Sequence, residues 1–310
     1  MPRERAMVLP PTHPMGAQRP ASLVYHTGAL GDFITTLPAF TAWRRLHPGA
    51  RIVLLGKPAF AALCGGNGLF DDSWDAEAAR AAFLFASEID PSRTGDLADF
   101  DSALLFSHSS SPLAANLAAC GVKNIVRQDP LPTGGDVHVV DYHLSLFAQL
   151  ALSEEDRIPR LSPRMRAASG GSPVAIHPGS GSPKKNWPPE RFAQLSRLIE
   201  SDGKRVVWIV GPAEDDSLLP PNAAAWRRLE LPLLASLLSG CSLFVGNDSG
   251  IAHLAAAVGC PVVVLFGSSN PRVWSPRAKR VVVVDSGGRG MNALSVQSIF
   301  SACRDVVGGG

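Results

Sequence analysis

The stretch Val245–Pro271 reads VGNDSGIAHLAAAVGCPVVVLFGSSNP. It starts at the end of a strand, Leu243–Gly246, and passes two polar turn formers, Asn247 and Asp248. A helix follows over Gly250–Val258. Gly259 and Pro261 break it, and the valine-rich segment Val262–Phe266 resumes as a strand. Strand, helix, strand in so few residues is the unit of a parallel sheet. The apolar run Ile251–Phe266 is too short and too interrupted to span a membrane.

The same alternation extends outward in both directions. Val174–His177, Arg205–Val210 and Arg280–Val284 read as further strands, with helices at Pro189–Ser201 and Leu233–Ser239. The first half repeats the pattern, with strands at Ser22–His26, Arg51–Gly56 and Ala103–Phe106. Its helices are Asp32–Leu46, Pro112–Ala119 and a long amphipathic one over Asp136–Leu152. At 310 residues the chain exceeds one typical domain, and 45% hydrophobic content supplies two cores. The reading is therefore α/β: two Rossmann-like, doubly wound domains facing each other across a cleft.

Residues 1–20 carry Arg3, Arg5 and many prolines with no apolar core behind them, so they read as a disordered leader and not a signal peptide. Residues 21–155 form the first domain and 173–310 the second, whose last helix is free to pack back on the first. Between them, 156–172 holds Arg157, Arg160, Arg164 and Arg166 among prolines and glycines. It reads as a linker with a basic face, either a solvated loop or a surface beside the cleft. A net charge of +2 excludes a strongly basic nucleic-acid binder. Five cysteines with no Cys-x-x-Cys pair make a disulfide framework or zinc knuckle a poor fit, and point to a reducing cytosol.

In open parallel sheets, ligands sit beyond the carboxyl ends of the strands. Four such ends carry unusual residues. Gly28-Ala29-Leu30-Gly31-Asp32 lets the backbone turn tightly at Gly28 and Gly31. Asp32 then opens a helix, where a carboxylate either satisfies free N–H groups or serves chemistry. Gly-x-x-Gly is not a dinucleotide fingerprint, and Gly56-Lys57-Pro58 has neither an acid for a ribose nor the Ser or Thr of a phosphate loop. His177–Trp187 (HPGSGSPKKNW) combines backbone N–H groups, Ser180, Gly181, Ser182 and Lys185, a mixture that suits phosphate or makes a mobile basic loop. Glu214 follows a strand end, where it could accept from two ribose hydroxyls or simply be exposed. Asp248, Ser249 and Gly250 lie at a helix N-terminus, with its N–H groups and partial positive charge. Gly250 removes a side chain where a phosphate would approach, and His253 lies one turn further in, as a core residue or facing Ser249's side.

Together Gly28–Pro38 (GALGDFITTLP), His177–Phe192 (HPGSGSPKKNWPPERF) and Val245–Pro271 resemble glycosyltransferase family 9, the bacterial lipopolysaccharide heptosyltransferases. Order and spacing agree over most of residues 22–306. The resemblance implies a fold of the GT-B type, with donor in the second domain and acceptor mainly in the first. It implies transfer of a heptose, usually from the ADP form, with inversion at the anomeric carbon and no metal or other cofactor. The Asp-x-Asp at Asp99-Phe100-Asp101 leads into a strand and reads as shaping it, not as a metal site.

Carried residue by residue, the resemblance makes Asp32 the general base and Lys185 the cation facing the donor diphosphate. It places Ser180, Gly181, Ser182, Ser249, Gly250 and His253 around that diphosphate, Asp248 near the donor sugar, Glu214 near the ribose, and Gly28 and Gly31 in the acceptor-side turn. The implied partners are a nucleotide sugar and a lipopolysaccharide core or other glycan acceptor. The implied location is cytoplasmic, with peripheral contact at the inner face of the membrane through the first domain. Two rivals stay open: a transferase or epimerase of the same scaffold with another substrate, and a non-catalytic nucleotide-sugar-binding module.

Overall fold

The computed structural model describes residues 19–89, 95–163, 172–212 and 214–308. Two all-parallel sheets organise them. The first has strands β1 (Ala21–His26), β2 (Arg51–Gly56), β3 (Asp72–Asp75), β4 (Phe100–Phe106) and β5 (Asn124–Gln128), in the order β3-β2-β1-β4-β5. The second has β6 (Val174–His177), β7 (Val206–Val210), β8 (Ala225–Arg227), β9 (Leu243–Asn247), β10 (Val262–Phe266) and β11 (Val281–Asp285), in the order β11-β10-β9-β6-β7-β8. In both, strand order reverses next to the first strand: between β1 and β4, and between β6 and β9. Those reversals leave a crevice at the carboxyl ends where a ligand can enter.

The strands are apolar on both faces, as buried parallel strands are. Val24, Leu54 and Leu104 point to one side of the first sheet, while Leu23, Val53 and Leu105 point to the other. The second sheet divides likewise, with Ala175, Ile209 and Val264 against Ile176, Trp208 and Val263. The inner sides of both sheets belong to a single apolar cluster. So there are three cores: one outside each sheet and one shared between them. Helices α1 (Leu30–Leu46), α2 (Pro58–Leu63), α4 (Val139–Leu144), α6 (Leu231–Ser239) and α7 (Gly250–Ala257) fill the shared layer, with α1 on α7 and α2 on α6. Helix α3 (Leu113–Ala119) covers the outer face of the first sheet, and α5 (Pro189–Ser201) that of the second; the short α8 (Pro271–Trp274) follows β10.

Several expectations change. The last helix, α9 (Val296–Gly308), does not return to the first domain. Ile299, Cys303 and Val306 bury it against α5 and the outer face of the second sheet. The long helix expected over Asp136–Leu152 is only α4 followed by a 3-10 turn at Ser145–Phe147. His138 caps it, its Nδ1 accepting from the Val140 N–H at 3.2 Å. At its other end the Ser145 hydroxyl donates to the Tyr142 carbonyl at 2.7 Å, competing with the next helical bond. The edge strands β3, β5 and β8 escaped the periodicity argument because they are short and only half-buried.

Of the leader, residues 1–18 lie outside the described residues. Arg19 and Pro20 are already fixed to the first domain: Arg19 donates to the Gly49 carbonyl at 2.6 Å, and Pro20 accepts from the Arg51 N–H at 2.8 Å. In the linker, Arg164 and Arg166 lie outside the described residues. Arg157 is paired with Asp141 and Arg160 with Glu155, so these two face the protein's own acids. Asp101 accepts from the Ala21 N–H at 3.2 Å, fastening β4 to β1. Among the described residues no helix is long and apolar enough to cross a membrane, and all five cysteines are buried thiols.

Candidate active site

The helices that follow β1 and β9 meet at their first turns. A Cβ built on Gly250 would lie 3.0 Å from both the Gly31 nitrogen and the Leu30 Cβ. A Cβ on Gly31 would lie 3.4 Å from the His253 ring and 3.5 Å from the Gly250 Cα. The space that Gly250 leaves is thus filled by the start of α1, not held open for a phosphate. Two helix N-termini, each carrying roughly half a positive charge, abut across the domain boundary.

Asp32 is the third residue of α1. Its carboxylate accepts from the Ala29 N–H at 3.1 Å, so the capping role is real. Burial nevertheless dominates its titration and pushes the pKa above the ordinary aspartate value, against that N–H and the nearby charges of Lys185 and Lys57. Gly28 makes the turn possible: a Cβ there would meet the His26 ring at 3.0 Å and Asp32 at 3.1 Å.

Opposite Asp32, Lys185 ends the short turn Pro183–Lys185 and donates to Asp248 Oδ2 at 2.6 Å. The Ser269 hydroxyl donates to the same oxygen at 2.6 Å. Asp248 is only 7% exposed and Lys185 35%, so the pair sits at the mouth of the crevice with its cation outward. His253 is buried one turn into α7, and desolvation lowers its pKa to about 4, against the pull of Asp248. It is a neutral imidazole at neutral pH and packs beneath Gly31.

A second group fixes the loops. Ser249 is the N-cap of α7, accepting from the Ala252 N–H at 3.4 Å. Its hydroxyl is 3.4 Å from His177 Nδ1, and His177 Nε2 is 3.1 Å from Glu214 Oε1. Glu214 also accepts from the Gly211 N–H. Burial alone would raise the Glu214 pKa, but the His177 hydrogen bond and charge, with the Gly211 N–H, hold it below the usual glutamate range. Its carboxylate lies flat against Gly179, where a Cβ would collide with it at 2.0 Å. Glu214 is therefore fixed in place, with one internal partner on each carboxylate oxygen. Ser180 is a loop brace: its hydroxyl accepts from the Ser182 N–H at 3.2 Å and faces the Ser182 carbonyl and Asn186 Oδ1. Gly181 is exposed, and a Cβ there would meet nothing.

Trp187 anchors this loop. It is fully buried, its indole N–H donates to the Leu294 carbonyl at 3.0 Å, and its backbone N–H reaches Asn247 Oδ1 at 3.0 Å. Trp187→Ala is expected to cost about 3–5 kcal/mol of unfolding free energy through the cavity it leaves. Urea unfolding with an unchanged slope and a lower midpoint would show it; a loss under 1 kcal/mol would mean that the anchor is elsewhere.

The structure thus gathers Gly28, Gly31, Asp32, Lys185, Asp248, Gly250 and His253 at one boundary. It sets Ser180, Ser182, Ser249 and Glu214 behind them as supports. Sequence reasoning gave Asn247 only a turn-forming part, gave no role to His177 or Ser269, and set Lys57 aside. Ser269 and Lys57 share the signal that could have found them: each follows a strand end. Among the described residues no cluster of His, Cys, Asp or Glu is arranged to hold a metal ion.

Residues 136–302 match the model of "Glycosyltransferase family 9 (heptosyltransferase)". The chain is 28% identical over 181 residues to lipopolysaccharide heptosyltransferase 3 of Escherichia coli, covering 52% of each chain. It spans about half the length of the curated relatives it matches first, 52% and 43% for two of them. Similar architectures occur in a glycosyltransferase family 9 protein of Veillonella parvula (TM-score 0.77, 16% identity, 94% of this chain and 98% of that one). They also occur in the E. coli ADP-heptose LPS heptosyltransferase II (TM-score 0.75, 17% identity, 93% and 98%). At these identities the structural likeness speaks for the fold.

Proposed function

Because the chain belongs to glycosyltransferase family 9, whose model covers residues 136–302 of its 310, we propose that it transfers a heptose or related sugar from a nucleotide donor, ADP-heptose, to a lipopolysaccharide-core acceptor. One observation carries this reading: Asp32 follows Gly31, which rests on Gly250 and His253 of the facing domain, and Lys185 is bonded to Asp248, two residues before that same Gly250. Base and anion-binding cation on opposite sides of one boundary suit a displacement that takes a proton on one side and releases a diphosphate on the other.

In this proposal the acceptor hydroxyl gives its proton to Asp32 as its oxygen attacks the anomeric carbon. The bond from that carbon to the diphosphate oxygen breaks on the opposite face, so the configuration inverts. The electron pair leaves with the nucleoside diphosphate. Lys185 stabilises the charge that develops there. The raised pKa of Asp32 suits this role, since a base closer to the working pH takes a proton more readily. The relatives' printed names supply heptose and lipopolysaccharide, and ADP-heptose is named for a structural neighbour. Contact with the inner membrane surface follows from a lipid-linked acceptor and belongs to the same proposal.

A thermal-shift series with ADP, UDP, GDP and CMP tests the donor. At about a hundred times its dissociation constant, a specific ligand stabilises by roughly 2.7 kcal/mol. At roughly 2 °C per kcal/mol for a chain of this size, ADP should raise Tm by about 5 °C. Stabilisation by UDP with none by ADP would remove the basis for ADP-heptose.

A further inference from the structure

Lys57 lies one residue beyond Gly56, which pairs in parallel register with His26 at the end of β1. A Cβ on Gly56 would stand 2.4 Å from the His26 carbonyl oxygen, so only glycine lets β2 end this close to the turn after β1. That closeness carries the Lys57 ammonium over the turn. It reaches the Gly28 carbonyl at 3.4 Å and lies 5.4 Å from the centre of the Phe60 ring. Gly28 is also the residue against which the Asp32 carboxylate rests. One turn therefore holds a cation on its carbonyl and a carboxylate on its Cα side.

The charged and titratable groups around Asp32 come from four elements. His26, at the end of β1, is buried and its pKa is lowered to about 3, chiefly by desolvation, so it is neutral. His253, from α7, is neutral for the same reason. Lys185, from the loop after β6, acts on Asp32 more strongly than Lys57 does, but it is bonded to Asp248, whose charge opposes it. Lys57, from the end of β2, has a neutral carbonyl and an aromatic ring as its contacts. When a diphosphate engages Lys185, Lys57 is the cation left beside the base.

We propose that Lys57 is a positioning residue for the transfer, holding the Asp32 carboxylate ionised and aimed through the Gly28 turn. The inference rests on the reading of Asp32 as general base, and extends it to a residue outside the three family-like motifs.

The test follows the Asp32 carboxyl itself. The full chain labelled with 13C-carboxyl aspartate is titrated by NMR, and Asp32→Asn identifies the signal. Lys57→Met and Lys57→Gln should each raise the Asp32 midpoint by about half a pH unit, the direction that losing a neighbouring cation imposes on a carboxylate. Lys57→Arg should keep it within about 0.3 unit of wild type. Two neutral variants are used so that a failure of either to fold leaves the other to be read. An unchanged midpoint in the neutral variants overturns the proposal. So does an equal shift in Lys57→Arg, since charge would then not be the cause. No donor or acceptor is present, so this result stands apart from whether Asp32→Asn abolishes transfer, which tests the base reading alone.

Discussion

Asp32→Asn should reduce turnover by roughly 10²–10⁴-fold while leaving ADP binding within about twofold of wild type. The asparagine oxygen can still accept from the Ala29 N–H, so the start of α1 keeps its cap. What is lost is the ability to take a proton. The stability change has an unusual sign. Burial raises the Asp32 pKa, so the fold favours the protonated form. The stability this contributes is full below the unfolded aspartate range and is lost as pH rises through the raised folded value. At neutral pH the ionised carboxylate is therefore a cost, and Asp32→Asn should melt no lower than wild type. A melting scan at pH 7 and a single-turnover assay check both parts. Normal turnover in the variant would leave Asp32 as a helix cap and nothing more.

Lys185→Ala should lower kcat/KM by about 10²–10³-fold, the range seen when one preorganised donor to a developing anion is removed. Its effect on stability should be small, about 1 kcal/mol, because Lys185 is a third exposed and water screens the pair. The lone Asp248 left behind would itself repel a diphosphate, which confuses the single variant. Adding Asp248→Asn removes that charge. If Lys185 acts on the leaving group, the double variant stays slow; recovery to near wild-type turnover would mean that Lys185 serves only to neutralise Asp248.

Much of the fold was legible because its signals are local. The central strands are continuous apolar runs, and Gly259-Cys260-Pro261 punctuates helix from strand without help from the rest of the chain. The edge strands and the true length of α4 depend on partners far away, such as the Ser275 carbonyl held by His138 at 2.9 Å. The site divides the same way. Residue type and position at strand ends marked the turns that carry Asp32, Lys185 and Asp248, and the family resemblance singled out these three within them. That Gly250 meets Gly31, or that Glu214 rests on Gly179, is a relation between segments 219 or 35 residues apart, which no spacing rule reads. Glu214 shows the limit most clearly: as an acid past a strand end it read as a ribose ligand or an exposed side chain, and its partner His177 could only be seen in three dimensions.

The glycine-to-glycine contact between α1 and α7 bears on how such enzymes can be recombined. Under the proposed function, the two halves look like modules that could be exchanged to pair a new donor with an old acceptor. But a methyl group on Gly250 would crowd the Gly31 nitrogen and the Leu30 Cβ at 3.0 Å, and the apolar layer behind them draws on both sheets. A hybrid of this chain with a relative must therefore inherit matched surfaces for α1 and α7, and for α2 and α6, or its halves will not seat. The natural crossover unit is the interface rather than the domain.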